Sequence, residues 1–265
     1  VLVHSQVQDR PLPSNASLVQ HKLQLTNAGA YSVDSCCSTF VTLVEVASAL
    51  VNAGVKKNVL VVNSILDSMI NDKSTYYSIC TGDAACAAVI TKVEDGCGYE
   101  GSFSLSRGEL HDGIVFHRRS PLLHVEVSNQ PSFEQDFVTF LNPEACRTIG
   151  AKATEYLENV VNKLVEKTGI ETKEADFLVT HQPVAWAPFA WRDSLGFKPE
   201  QHLNTYPKFG NIATCSVPTN LLLAIENGMV KEGQRVLMAS SGAGENHIAL
   251  YEKLSSELVR NVLSF

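Results

Sequence analysis

Two adjacent thiols are the first groups in this chain that could do chemistry. In Val33-Asp34-Ser35-Cys36-Cys37-Ser38-Thr39-Phe40 they stand where a short extended run gives way to an apolar helical pattern. Backbone N–H groups at a helix start lack intrahelical partners and lie at the positive end of the helix dipole. A thiol placed there is biased toward thiolate, its nucleophilic form. Cys36 and Cys37 are therefore both candidates to attack an activated carbonyl. Small cysteines are also common core residues, and the stretch by itself leaves that alternative open. Three later features could complete a site: His181 at the end of an apolar run, Asn211 in a Gly-Asn turn, and the loop Ser241-Gly242-Ala243-Gly244. Each of these also has an ordinary reading, as a packed histidine, a simple turn and a flexible loop.

The periodicity of the chain predicts the elements that would hold these residues. Val1 to Ser5 reads as a strand, Pro11 to Asn15 as a loop, and Ser17 to Leu23 as a short helix. Ala30 to Val33 is an extended run into the cysteine turn. From Ser38, Phe40, Val41, Leu43, Val44, Ala47, Leu50 and Val51 recur at helical spacing until Gly54. Asn58 to Val62 is a continuous apolar strand of the buried, parallel kind, and Gly82-Asp83 turns into the small-residue run Ala84 to Ile90. Residues 94–130 are polar and rich in His and Arg, which predicts strands and loops decorating the core; His117-Arg118-Arg119 reads as a solvated face. Asn142-Pro143-Glu144 is a helix start with a polar cap, Pro at the first turn and an acid beside it, and Gly169 closes that helix. Ala175 to Thr180 is a strand delivering His181, Pro218 to Glu226 a helix, and Arg235 to Ala239 a strand. Asn52-Ala53-Gly54-Val55-Lys56 before one strand is echoed by Asn227-Gly228-Met229-Val230-Lys231 before another. That echo predicts two related α/β halves whose strand ends meet at one cleft.

Bulk properties narrow the class. With 265 residues, 45% hydrophobic and 18% charged, the chain has ample material for a globular core. The net charge of −7 speaks against unspecific binding to nucleic acid or anionic membranes, and no run has the length of a transmembrane helix. The 7 cysteines show no C-x-x-C pair or metal-ligand spacing, which fits a reducing cytoplasm and neither a disulfide framework nor a zinc site. The opening Val1-Leu2-Val3 reads like the middle of a strand, so a preceding portion is expected.

Taken in order, Ser35-Cys36-Cys37-Ser38-Thr39-Phe40, Gly82-Asp83-Ala84-Ala85, His181-Gln182-Pro183, and Gly210-Asn211 with Ser241-Gly242-Ala243-Gly244 resemble the ketosynthase III enzymes of the thiolase superfamily. The resemblance implies an α/β thiolase-like fold, two pseudo-symmetric mixed-sheet halves layered α-β-α-β-α. Residues 1–140 would be the remainder of the N-terminal half with decorating strands and loops, and residues 141–265 the C-terminal half. It also implies that Cys37 accepts the acyl group, with Cys36 a buried neighbour. His181 and Asn211 would complete a Cys-His-Asn triad, and the N–H groups of Cys37 and Gly242 would form an oxyanion hole. No bound cofactor or metal is expected; the substrates would be thioesters of coenzyme A or of phosphopantetheine on an acyl-carrier protein. A homodimer, or a heterodimer with a paralogue, is implied as well.

The chain departs from housekeeping members after the histidine. Where the family usually carries Gln-Ala-Asn and a basic residue that helps hold coenzyme A, this chain has Gln182-Pro183-Val184 and Trp186. Gly-Asp-Gly-Ala-Gly has become Gly82-Asp83-Ala84-Ala85-Cys86. These changes point to a relative in secondary metabolism, of polyketide or fatty-acid-like type, with Trp186, Phe189 and Trp191 at the entrance of the acyl site. Decarboxylative condensation is the expected reaction. Acyl transfer to an oxygen, nitrogen or sulfur nucleophile is the alternative, and a non-catalytic partner subunit the third reading.

Overall fold

In the computed structural model, residues 1–5, 13–69, 71, 76–118 and 137–264 are described. The first part of the chain runs β1 (Leu2–Ser5), α1 (Asn15–Lys22), β2 (Tyr31–Ser32), α2 (Thr39–Asn52), β3 (Asn58–Ile65), α3 (Tyr76–Cys80) and β4 (Ala84–Thr91). It continues through β5 (Gly98–Ser106), β6 (Ile114–Arg118), β7 (Phe137–Leu141), α4 (Pro143–Thr168), β8 (Phe177–Thr180), α5 (Ala187–Ser194) and α6 (Tyr206–Phe209). The last elements are α7 (Ser216–Glu226), β9 (Arg235–Gly242), β10 (Asn246–Lys253) and α8 (Ser256–Leu263).

Two four-stranded mixed sheets, ordered β2-β1-β3-β4 and β5-β10-β9-β8, face each other across α2 and α7. The apolar stripe that the sequence predicts on α2 (Phe40, Val41, Leu43, Val44, Ala47) packs between Leu2, Val59 and Val61 of the first sheet and Phe177, Val236, Met238, Ile248 and Leu250 of the second. A helix apolar over so broad a face has to be buried on both sides, which is why it forms the middle layer. On the far side of the second sheet α4 lays Val160, Val161 and Leu164 against Leu178, Leu237, Ala249 and Tyr251. Its ends follow the local chemistry: Asn142 Oδ1 accepts from the N–H of Glu144 and Ala145, and Gly169 closes the helix at φ 73°. On the first sheet α1 lies along β1 and β2, while Leu60 and Val62, on the face of β3 turned from α2, are half-buried.

The echo marks a true repeat. β3 runs parallel to β1 and antiparallel to β4, just as β9 runs parallel to β8 and antiparallel to β10. One expectation is corrected. Residues 98–106 do not decorate the core: β5 pairs along its length with β10 as an edge of the second sheet, although it precedes residue 140. Its alternation of Ser with Gly and aromatic residues hid an edge strand that has only one apolar face. Among the described residues β6 and β7 form a separate two-stranded ribbon, which ends in His117 and Arg118; Arg119 and the exposure of His117-Arg118-Arg119, predicted as a solvated face, lie outside the described residues.

Candidate active site

The cysteine turn is built by its own polar neighbours. Cys36 has a left-handed backbone, φ 55°, uncommon for a non-glycine residue. Its N–H donates to Asp34 Oδ1 at 2.7 Å, and Thr39 Oγ1 donates to its carbonyl at 2.6 Å. A 3₁₀ turn over Cys36–Ser38 then leads into α2. The two sulfurs come to lie 3.9 Å apart. The hydrogen bond to Cys36, followed by burial, pushes the Cys37 thiol well up, and the same bond, against burial, brings the Cys36 thiol down. The Ala243 N–H faces both sulfurs and lowers both. The neighbouring thiol and burial thus hold the Cys37 thiol up, against the thiolate that a helix start by itself favours.

Strand β9 ends on this turn. Ser240 Oγ donates to the Cys37 carbonyl at 3.2 Å. A side chain at position 242 would overlap the Ser35 carbonyl oxygen and stand 2.9 Å from Ser38 N, so only glycine lets the strand end lie there. That close approach carries the backbone of residues 242–243 over the sulfurs.

Asn211 is seated by the other half of the site. Its N–H donates to the Cys80 carbonyl at 2.7 Å and its carbonyl accepts from Gly82 N at 3.0 Å. Gly82 of the Gly82-Asp83 motif is therefore part of the seat of Asn211. Gly210 before it has φ 67°, and a Cβ there would come within 2.6 Å of the Cys80 oxygen. Asn211 Oδ1 accepts from Ala213 N at 2.8 Å. Because that partner can only donate, the amide orientation is fixed and Nδ2 is the free donor side; among the described residues Nδ2 meets no acceptor.

His181 follows directly on β8, its N–H held by the Ala239 carbonyl at 3.1 Å. Its side chain is buried, with Nδ1 3.4 Å from Ser216 Oγ. Burial brings its pKa down to about 3, against a smaller upward pull from a hydrogen bond to the Ala213 backbone. The ring is neutral across any ordinary assay range. All three predicted residues meet at the turn Ala213–Cys215: Cys37 packs against the cluster of Ile65, Ile212, Ala213 and Cys215, while Asn211 and His181 both bond to Ala213.

The aromatic residues behave differently. Trp186 and Phe189, at the start of α5, are 48% and 44% exposed and stay outside the buried clusters. Trp191 is no entrance residue: it is 1% exposed, packed with Leu157, Ala187 and Ala239, and its indole N–H donates to the Ala153 carbonyl at 3.1 Å.

Family models for 3-oxoacyl-[acyl-carrier-protein (ACP)] synthase III match residues 31–107, and for its C-terminal part residues 165–252. The β-ketoacyl-[acyl-carrier-protein] synthase III of Campylobacter jejuni subsp. doylei is 30% identical over 236 residues, 88% of this chain and 68% of that protein. The chain belongs to the β-ketoacyl-acyl-carrier-protein synthase III family. The synthase III of Deinococcus deserti is 28% identical over 247 residues, 91% of this chain and 67% of the relative. The crystal structure of the Thermus thermophilus synthase III superposes with a TM-score of 0.80 at 27% identity, covering 96% of this chain and 76% of that one. As a synthase III family member the chain is an acyltransferase with the thiolase-like fold. Among the described residues no helix is long and apolar enough to cross a membrane.

Several residues of this synthase III site escaped the sequence reading: the Ala243 N–H, Ser240, Ser216, and Thr214, which accepts from Phe40 N at 2.8 Å and donates to Asn63 Oδ1 at 3.1 Å. Strand alternation places Ser240 on the face of Gly242. The internal echo, extended backward in step from Asn52 and Asn227, pairs Cys37 with Ile212 and Thr39 with Thr214, so it gives no sign that Thr214 stands opposite Cys37 in the two turns. Gln182, in the family motif, proves to be scaffolding: its amide bonds Leu203 O and Thr205 N, both at 2.9 Å.

Proposed function

We propose that this chain condenses an acyl thioester with a malonyl or β-keto thioester, with Cys37 as the acyl carrier. The observation that supports it most is the meeting of Cys37, His181 and Asn211 at the Ala213–Cys215 turn, beneath the backbone of residues 242–243. Cys37 loses its proton as its sulfur attacks the thioester carbonyl. The N–H groups of Cys37 and Ala243 hold the developing oxyanion, a service worth about 3–4 kcal/mol per donor in enzymes of this kind. Ala243 takes the place expected of Gly242, whose backbone pairs with Asn246 of β10. The tetrahedral adduct collapses, the donor thiol leaves with the proton, and the acyl group stays on Cys37. A malonyl thioester then loses carbon dioxide, and its enolate oxygen is held by Asn211 Nδ2 and by the single N–H of neutral His181, which turns to it from the Ala213 backbone. The enolate carbon attacks the acyl carbon, and Cys37 is released as the carbon–carbon bond forms.

The acyl donor is a thioester of coenzyme A or of phosphopantetheine on a carrier protein. Exposed Val184, Trp186 and Phe189 replace a polar and basic entrance, which favours an apolar or carrier-borne acyl group over free coenzyme A priming. The working unit on this reading is a dimer, of two copies or with a paralogue, acting in the cytoplasm; light scattering and cell fractionation check both.

The test uses the purified protein with an acyl thioester and carboxyl-labelled malonyl thioester. Intact mass should rise by one acyl group, Cys37→Ala should show no adduct and at least a thousandfold loss of turnover, and labelled carbon dioxide should appear with a β-keto product. Acyl transfer to an oxygen, nitrogen or sulfur acceptor without labelled carbon dioxide would overturn condensation. Absence of any adduct on the parent protein would overturn the nucleophile.

A further inference from the structure

The face of the β9–β10 hairpin turned from the sulfurs carries a second polar cluster that no step above uses. Ser241 and His247 are direct cross-strand partners. Ser241 Oγ is 2.6 Å from His247 Nδ1, and His247 Nε2 is 3.3 Å from Glu245 Oε2. His247 is 2% exposed and Glu245 5%. The carboxylate beside Nε2 favours the proton there, which leaves Nδ1 to accept from the Ser241 hydroxyl. Nε2 has no well-aligned hydrogen bond, so its tie to Glu245 is a close charge contact. Tyr156 of α4 covers the ring, centroids 5.5 Å apart, and the Arg107 guanidinium lies 5.0 Å from the Tyr156 ring centre. Buried polar groups in such an arrangement call for an explanation.

We infer that Ser241, His247 and Glu245 are positioning residues that clamp the Ala243–Glu245 loop and so set the Ala243 N–H over Cys37. The inference rests on the nucleophile reading above. Side chains alternate along β9: Ser240 and Gly242 face the cysteine turn, and Ser241 between them faces α4. Ser241 is therefore no second nucleophile for the same acyl group. The three-residue loop contains two successive left-handed residues, Gly244 at φ 78° and Glu245 at φ 51°. A glutamate persists in that conformation only where its surroundings over-determine it. Here its carbonyl accepts from Arg107 N at 2.9 Å while its carboxylate meets His247. Asn246 ties the same loop, donating to Ala243 O at 3.2 Å and accepting from Ser106 Oγ at 2.6 Å. The cluster therefore fixes both ends of a loop whose middle must sit within a fraction of an ångström of its working position.

Single-turnover acylation, followed by intact mass, tests this with Ser241→Ala, Glu245→Gly and Glu245→Gln. The first two should acylate about tenfold more slowly with KM for the acyl thioester within twofold of the parent, and Glu245→Gln should recover most of the rate. Glu245→Gly relieves the backbone strain, so its thermal midpoint should not fall. Parental rates in Ser241→Ala and Glu245→Gly would overturn the clamp alone, as would losses that merely follow the folded fraction. A parent protein that forms no adduct would overturn the nucleophile reading and the clamp together.

Discussion

The turn at Cys36–Ser38 and the turn at Ala213–Cys215 are two copies of one device. In each, an Asp or Asn side chain accepts the N–H two residues on: Asp34 from Cys36 at 2.7 Å, Asn211 from Ala213 at 2.8 Å. In each, the residue that donates is left-handed, φ 55° and 45°, and begins a 3₁₀ turn that runs into a helix of the middle layer. The difference lies in which position meets the site. The first copy leaves its Asx residue in solvent, Asp34 being 73% exposed, and presents its second turn residue, Cys37. The second copy buries its Asx residue, Asn211 at 6%, and spends the equivalent second residue, Thr214, on tying α2 to β3. On the proposed reading, one scaffold thus supplies a nucleophile from one half and an amide donor from the other.

Making the second copy resemble the first should have the largest effect. Asn211→Asp keeps an acceptor for Ala213 N–H, so the turn should form, but it replaces the Nδ2 donor by a carboxylate oxygen. Losing one donor to a developing oxyanion costs about 10²–10³-fold in rate. Decarboxylation and condensation should fall by about that factor while acylation of Cys37, measured by intact mass, stays within about tenfold of the parent. Equal losses in both half-reactions would break the assignment of Asn211 to the enolate step.

How much of this was legible follows from what each residue's signal depends on. Helices α2 and α4 were readable because a long apolar stripe and a cap are local properties. The echo of turn, basic residue and strand revealed two halves for the same reason. β5 was not legible: an edge strand of Ser, Gly and aromatics looks like a loop until its partner β10 arrives from residue 246 onward. The site divides in the same way. Cys37, His181, Asn211 and Gly242 all came from a family pattern, whereas the Ala243 N–H that faces the sulfurs was missed by one residue. The burial of Trp191 depends on contacts distant in the chain, with Leu157 and Ala239, which no local pattern encodes.

A subtler test concerns the neutral histidine that sits against the second turn. Burial holds His181 at about 3, and His202 at about 4, where burial again leads. Both lie below the ordinary value of 6.5, so the unfolded chain takes up protons that the folded chain refuses. Stability is then complete above about pH 6.5 and is lost as pH falls toward 4, by up to about 1.4 kcal/mol per unit for each group. The thermal midpoint should drop between pH 6.5 and 4, and drop less in His181→Asn. An unchanged slope in that variant would mean that the ring titrates normally, and that His181 is less dry than its 1% exposure implies.

The smallest effect is expected at the exposed Asx residue, and it is the sharpest check on the claim that the two turns share a scaffold but not a role. Asp34→Asn preserves the oxygen that accepts Cys36 N–H, removes a charge from beside the thiol pair, and gives up the 3.5 Å contact with His4 Nδ1. An exposed charge contributes little to stability, typically below about 1 kcal/mol, and the ion pair with a buried, predominantly neutral His4 adds less. Stability and acylation rate should therefore stay within about 0.5 kcal/mol and about twofold of the parent. Asp34→Ala, which also removes the acceptor, should cost about 1 kcal/mol because the left-handed Cys36 loses its tether. If Asp34→Asn were instead as damaging as Asn211→Asp, the Asp34 carboxylate itself would be acting on the thiols, and the first turn would be more than a frame for Cys37.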